Sequence, residues 1–229
     1  MSRSALLISW VMVLGCSGLT EGAGGVVGLE IRTPELRTIE VGEALALSAR
    51  ALDKNGDSVD TEITWRAPDP TLTVDGQTGV ITGISPGTGR VQAFAGSLAS
   101  ALVSFNVIAR ADTLILIGDS VVTVGPGVAS SAPLVTQLQS FSPPGPLPSW
   151  PVIYAITSPP DVGGPHTVEL PGGVLVDTLV TGTDGAVSTV TLNRVDIAQP
   201  DTAIVEVRSF RTRGGTVPGS GQRFIVIFQ

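Results

Sequence analysis

Ser120 belongs to the one stretch of this 229-residue chain that mimics an enzyme motif. It lies in Ile117-Gly118-Asp119-Ser120-Val121, where an apolar run at 114–117 ends in a Gly-Asp-Ser reversal. A serine hydroxyl becomes a nucleophile only with a general base in hydrogen-bond reach. The sole histidine, His166, follows Asp161 by five residues in Gly163-Gly164-Pro165-His166, which reads as an exposed loop. Zinc needs three or four convergent donors, and a lone histidine does not supply them, so no metal is expected. Asp53, Asn55 and Asp57 alternate, with Asp60 and Glu62 following, so several oxygens could converge on calcium. The calcium-loop spacing fails: position six is Ser58 instead of Gly, and position twelve is Thr64 instead of a bidentate Glu. A hairpin turn with solvated charges accounts for the same residues.

The elements that must carry these groups are strands. Apolar residues recur with period two, as half-buried strands require, at Val27, Leu29 and Ile31, then at Leu45, Leu47, Ala49 and Ala51. Ile63, Trp65 and Ala67 form a third set, Val91, Ala93 and Ala95 a fourth, and Ala101, Val103, Phe105 and Val107 a fifth. Lys54-Asn55-Gly56-Asp57, Asp75-Gly76 and Thr78-Gly79 supply the turns between them. A connector is expected at 109–112. Beyond it alternation resumes at Val152, Tyr154 and Ile156; at Ala186, Ser188, Val190 and Leu192; at Ala203, Val205 and Val207; and at Phe224, Val226 and Phe228. With 28 Gly, 17 Pro and no 3.6-residue period outside the N-terminal segment, the predicted fold class is all-β, in two tandem β-sandwiches.

The N-terminus has its own pattern. Arg3 precedes an apolar run at 5–14, broken only by Ser9, that closes on Val13-Leu14-Gly15-Cys16. This is the layout of a secretory signal peptide, and it is shorter than the roughly 20 apolar residues that span a bilayer. Its ending resembles the lipobox of bacterial lipoproteins. The resemblance implies cleavage between Gly15 and Cys16 and diacylglyceryl modification of the Cys16 thiol. Ser17 is not the Asp that favours inner-membrane retention, which implies outer-membrane sorting. An ordinary signal peptide with an incidental cysteine is the alternative.

An ordered set of short motifs covers residues 26–108. Val41-Gly42-Glu43, Asp53-Lys54-Asn55-Gly56, Ile63-Thr64-Trp65, Val74-Asp75, Thr78-Gly79-Val80-Ile81-Thr82-Gly83 and Ser85-Pro86-Gly87-Thr88 precede a strand at 103–107. Together they resemble the group 2 bacterial immunoglobulin-like domain. The resemblance implies a sandwich with Trp65 as a core anchor, and no reaction. Residues 113–229 carry Pro133-Leu134-Val135, Pro151-Val152-Ile153-Tyr154-Ala155-Ile156, Thr183-Asp184-Gly185-Ala186-Val187 and a closing Arg223-Phe224-Ile225-Val226-Ile227-Phe228. This segment resembles the group 1 domains of invasin-type and intimin-type adhesins. Ser142-Pro143-Pro144-Gly145-Pro146 stands where that family has an Asp and Gly hairpin, leaving a generic sandwich as the alternative.

The Gly118-Asp119-Ser120 block is similar to the opening of the Gly-Asp-Ser esterase family, which implies Ser120 as nucleophile. That family sets its Asp and His closer together than Asp161 and His166, in a longer α/β domain. A strand followed by a turn, with Asp119 and Ser120 capping backbone groups, is the competing account. Residues 143–151 have PxxP spacing, read here as a stiff interstrand loop that denies edge pairing. Arg208, Arg211 and Arg213 near Phe210 read as a solvated hairpin tip. Gly172-Gly173 and Gly214-Gly215 lack the Lys and helix start of a phosphate loop.

Net charge of −7 argues against nucleic acid as a partner, and no polybasic segment serves anionic lipids. Beyond Cys16 there is no thiol for a disulfide. The expectation is a lipid-anchored protein of the bacterial envelope: signal peptide 1–15, a tether 16–25, then immunoglobulin-like sandwiches at 26–108 and 113–229. It would have no cofactor and no catalytic residue, and it would bind an unknown protein or glycan partner. A structural spacer and a Ser120 esterase are the alternatives; with nothing after Gln229 to display, binding is favoured over spacing.

Overall fold

The computed structural model describes residues 25–160, 166–195 and 202–229, and these contain strands and turns but no helix. The first sandwich opens with β1 (Gly28–Arg32), β2 (Thr38–Glu40), β3 (Ala44–Ala46) and β4 (Ser48–Leu52). It continues through β5 (Ser58–Val59), β6 (Thr64–Arg66), β7 (Leu72–Val74) and β8 (Val80–Gly83). β9 (Gly87–Ala95), β10 (Leu98–Ala99) and β11 (Val103–Ile108) complete it. β1-β4-β5 and β3-β8-β7 form two three-stranded sheets, and β10-β9-β11-β2, with β6 also on β9, forms the third. β3 and β4 are one run divided at the buried Leu47, so consecutive alternating residues serve two different sheets.

Trp65, Phe105, Ile39, Leu72 and Ile81 lie in the first core, as the alternation of Trp65 and Phe105 requires. Two positions depart from the sequence reading. Val27 is exposed and Val26 buried, because the chain enters β1 only at Gly28 and the period-two phase does not yet apply. Ala101 is exposed because Ser100 turns the chain: its Oγ accepts from the Ala93 N–H at 3.1 Å, and β11 starts at Val103.

The second sandwich begins with β12 (Thr113–Ile117), β13 (Val121–Val124), β14 (Val135–Phe141), β15 (Pro144–Pro146) and β16 (Pro151–Ser158). β17 (Val168–Glu169), β18 (Val176–Val180), β19 (Ala186–Val187) and β20 (Asn193–Arg194) follow, then β21 (Thr202–Arg208) and β22 (Gln222–Phe228). One sheet is β12-β14-β15 with β19 on β14, the other is β13-β22-β21-β16-β18, and β17-β20 is a two-stranded annex. Tyr154 is fully buried, its hydroxyl 2.6 Å from Thr136 Oγ1 and donating to the Leu134 carbonyl. Burial pushes this phenol up to about 12, against the opposing hydrogen bond from Thr136.

Here too the sequence reading needs correction. Val187 is buried while Ala186 is half-buried and Ser188 exposed; β19 ends at Val187, so the expected run through Leu192 is two strand residues and a loop that buries Val190 and Leu192. Pro144–Pro146 is a short strand on the end of β14 instead of a loop that refuses pairing. Trp150, read as part of a proline-rich loop, is a core residue whose indole N–H donates to the Phe210 carbonyl at 3.0 Å.

Gly79 shows how a turn residue controls the core. Its φ is +71°, and a Cβ there would lie 2.7 Å from Trp65 Cε2. Gly79→Ala must therefore displace the indole while adopting a left-handed backbone. An expected loss of about 3 kcal/mol combines the strain with overpacking. Calorimetry should show this as a lowered melting temperature, and an unchanged one would remove Trp65 as the feature that requires glycine.

Candidate functional site

Ser120 sits on an exposed turn after Gly118, whose φ is +84°. Its carbonyl accepts from the Ile225 N–H at 2.7 Å, which starts the β13–β22 pairing. His166 is half-buried beside β17, not fully exposed as the loop reading expects, and no hydrogen bond joins it to Ser120 among the described residues. Asp161 lies outside the described residues, as do Gly15 and Cys16.

Within the acidic run, the Asp53 carboxylate is spent on a turn. Asp53 Oδ1 accepts the N–H groups of Asn55 at 2.8 Å and Asp57 at 2.9 Å, and Oδ2 accepts from Asn55 Nδ2. Those backbone donors, Asp57 first and Asn55 second, hold its carboxyl below the usual range. Among the described residues no group of three or more His, Cys, Asp or Glu could hold a metal ion.

The structure instead concentrates polar groups where the two sandwiches meet. Glu40 ends β2 and is only 2% exposed. Its Oε1 accepts the Thr212 N–H at 2.8 Å and the Thr212 hydroxyl at 3.0 Å, and its Oε2 accepts the Ala111 N–H at 3.2 Å. A turn closes on the same residue: Glu43 Oε2 accepts the Glu40 N–H at 2.8 Å, and the Glu43 N–H donates back to the Glu40 carbonyl. Glu43 Oε1 also pairs with Arg213 Nε, and Arg213 Nη2 reaches the carbonyls of Leu36 and Thr38.

The connector is pinned from both ends. Ala111 is fully buried and its carbonyl accepts Arg211 Nε at 3.2 Å. The buried Asp112 accepts Arg110 Nε at 2.6 Å through one oxygen and the Phe141 N–H at 2.7 Å through the other. Read from sequence as a solvated tip, Arg213 is exposed yet clasps the first sandwich at Glu43, Leu36 and Thr38, and Arg211 holds the connector at Ala111. The reversal that presents them closes with Arg211 N–H to Gly215 carbonyl at 2.6 Å. Beside the clasp is an open cavity of about 240 Å³ lined by Glu40, Gly42, Glu43, Arg110, Arg211 and Arg213. Sequence reading missed Glu40, because next to Ile39 and Val41 it occupies the strand face that water would ordinarily cover.

Arg208 has a different task. It shares the nearly buried Glu206 carboxylate with Arg223 on the outer face of the five-stranded sheet. Burial pushes the Glu206 carboxyl up, and the hydrogen bonds and charges of Arg208 and Arg223 outweigh that, leaving it below its ordinary value.

Each sandwich has its opening strand divided between two sheets. In the first, β1 pairs antiparallel with β4 while β2 runs parallel to the last strand, β11. In the second, β12 pairs antiparallel with β14 and β13 runs parallel to β22. That topology defines the chain as two tandem immunoglobulin-like β-sandwiches. No protein-family model matches the chain, and no curated protein does. Among solved structures it is similar to the Yersinia pseudotuberculosis adhesin InvE, at 14% identity and TM-score 0.40, covering 91% of this chain and 61% of that one. It is also similar to domains 4 and 5 of the S-layer protein SbsC, at 17% identity and TM-score 0.33, with 89% and 98% covered. A third is the D00-D0 domain of Intimin, at 12% identity and TM-score 0.31, with 87% and 99% covered.

Glu40→Ala is expected to cost about 3 kcal/mol at the junction, since it strands donors from Thr212 and Ala111. Calorimetry should resolve two melting transitions where the parent shows one, and small-angle scattering should report a larger radius of gyration. A single unshifted transition would refute the clasp. For Glu206, whose folded value is depressed, the stabilising contribution is full above the ordinary 4.5 and is lost as pH falls through the folded value. Melting temperatures of Glu206→Gln should accordingly fall less than those of the parent between about pH 5 and 3.

Proposed function

We propose that the protein is a non-catalytic, lipid-anchored component of the bacterial cell envelope, whose two immunoglobulin-like sandwiches act as a binding or adhesion module. The observation that carries this reading is the junction. The buried Glu40, with Glu43 and Arg213, joins the sandwiches through hydrogen bonds and an ion pair, and Arg211 holds the connector between them, where interdomain motion would otherwise be the default. A stiff two-domain body suits presenting loops or a sheet edge at a fixed distance from a surface.

The anchor in this reading is Cys16, lipidated after cleavage at Gly15, with residues 16–25 as the tether and the outer membrane as destination. Its support is the sequence pattern around Arg3 and the 5–14 run. The sandwiches would occupy 26–108 and 113–229. The group 2 character of the first and the group 1 character of the second belong to the same reading and rest on their motifs. The partner would be a protein or a glycan held by loop residues.

Mass spectrometry of the mature N-terminal peptide from the native membrane fraction tests the anchor. The expected product begins at Cys16 and carries diacylglycerol. A peptide cut elsewhere and free of lipid would make the protein a secreted one and overturn the anchoring.

A further inference from the structure

β18 closes one side of the five-stranded sheet, and among the described residues no strand pairs with its outer edge. In an antiparallel ladder successive residues alternate between bonding to the neighbour and facing away from it. The Leu175 carbonyl accepts the Ile156 N–H, and the Thr181 N–H donates to the Trp150 carbonyl, both at 2.9 Å. Both pairs continue the β16–β18 register, so odd-numbered residues bond inward. The N–H and C=O groups of Val176, Thr178 and Val180 therefore point away from the sheet.

The side chains of that edge are equally unprotected. Val176 is 57% and Val180 66% exposed, with exposed Thr178 between them. Edge strands are ordinarily blunted by Lys, Pro or a bulge, and β18 has none of these. Its one guard is Asp177, whose Oδ1 accepts the Thr178 N–H at 2.8 Å and so occupies the central outward donor.

We propose that β18 is a strand-addition site for a second copy of this chain, paired antiparallel about a two-fold axis through Thr178. The edge is self-complementary in that register: Val176 meets Val180 of the second copy, and Thr178 meets Thr178. An isologous contact of this kind closes on itself and yields a dimer instead of a fibre. Apolar pairs face each other directly, while Asp177 stands opposite Leu179 and no like charges are directly opposed. A single shared strand edge buries less than the roughly 1,200 Å² of a stable interface, and the Asp177 cap must open, so the dimer is reversible and weak. The inference goes beyond the proposed function and does not depend on lipidation of Cys16.

Disulfide trapping tests it. In the full chain carrying Cys16→Ser, Thr178→Cys introduces the only thiol. Directly bonded antiparallel pairs have Cα atoms about 5.5 Å apart, which a disulfide can bridge. Thr178→Cys should form a covalent dimer roughly tenfold faster than Val128→Cys, an exposed position away from β18, because pairing raises the local thiol concentration. Adding Val176→Lys and Val180→Lys should return the rate to that of the control. Asp177→Ala without engineered thiols should raise the dimer fraction in sedimentation at equal concentration. Equal trapping at 178 and 128, or a monomer for both the parent and Asp177→Ala, overturns the proposal. So does a Thr178→Cys thiol that couples in envelope extract to a different polypeptide and not to its own copy.

Discussion

A carboxylate taken out of water must be met by donors on every side, and Glu40 imposes that demand at the one place where the two sandwiches could otherwise move. Its donors come from the connector at Ala111 and from Thr212 in the second sandwich. The turn at Glu43 fixes the glutamate's own backbone. Three separated parts of the chain must therefore arrive together before any of them is satisfied. The connector is fixed by the hydrogen bonds of Ala111 and Asp112.

The sandwiches and their junction are held by different physics. Each core is apolar and non-directional: Trp65, Phe105 and Leu72 in one, Trp150, Tyr154 and Phe224 in the other. No disulfide is possible beyond Cys16, so burial alone must offset the entropy of ordering the chain. The junction is polar and directional. Hydrogen-bonded groups of that kind specify one relative placement, because a shifted arrangement leaves buried donors and acceptors unmatched. Tyr154 brings the same logic inside the second core, where its hydroxyl is matched to Thr136 and Leu134.

Much of the acidity is architectural. Asp75 caps the turn at Gln77 and Thr78, and those backbone N–H groups, Thr78 first, hold its carboxyl below the usual range, as happens at Asp53. Asp69 is held down by its hydrogen bonds to the Arg90 side chain, where the guanidinium binds both of its oxygens. Asp53, which looks from its type like a ligand for calcium, thus organises a reversal, and both of its oxygens already accept from the chain itself.

Period-two alternation at Leu45 through Ala51, at Trp65 and at Phe105 determined the all-β class, and Asn55-Gly56 and Gly79 marked turns, because these signals are local. The alternation failed at Val27, Ala101 and Ala186, where a strand's end and not its pattern decides which side is covered. Glu40 was illegible for a deeper reason. Between Ile39 and Val41 it belongs to the face that a single sandwich leaves wet, and it is buried only because a hairpin some 170 residues later lies against it. Distance in sequence also hid the partners of Arg213, some 170 residues away, and of Arg211, 100 residues away. Charged residues on a turn read as solvated until tertiary contact supplies Glu43 and the carbonyls of Leu36, Thr38 and Ala111. Local periodicity is written residue by residue, whereas the partner of a buried charge is chosen by the fold, through desolvation that no short stretch of sequence records.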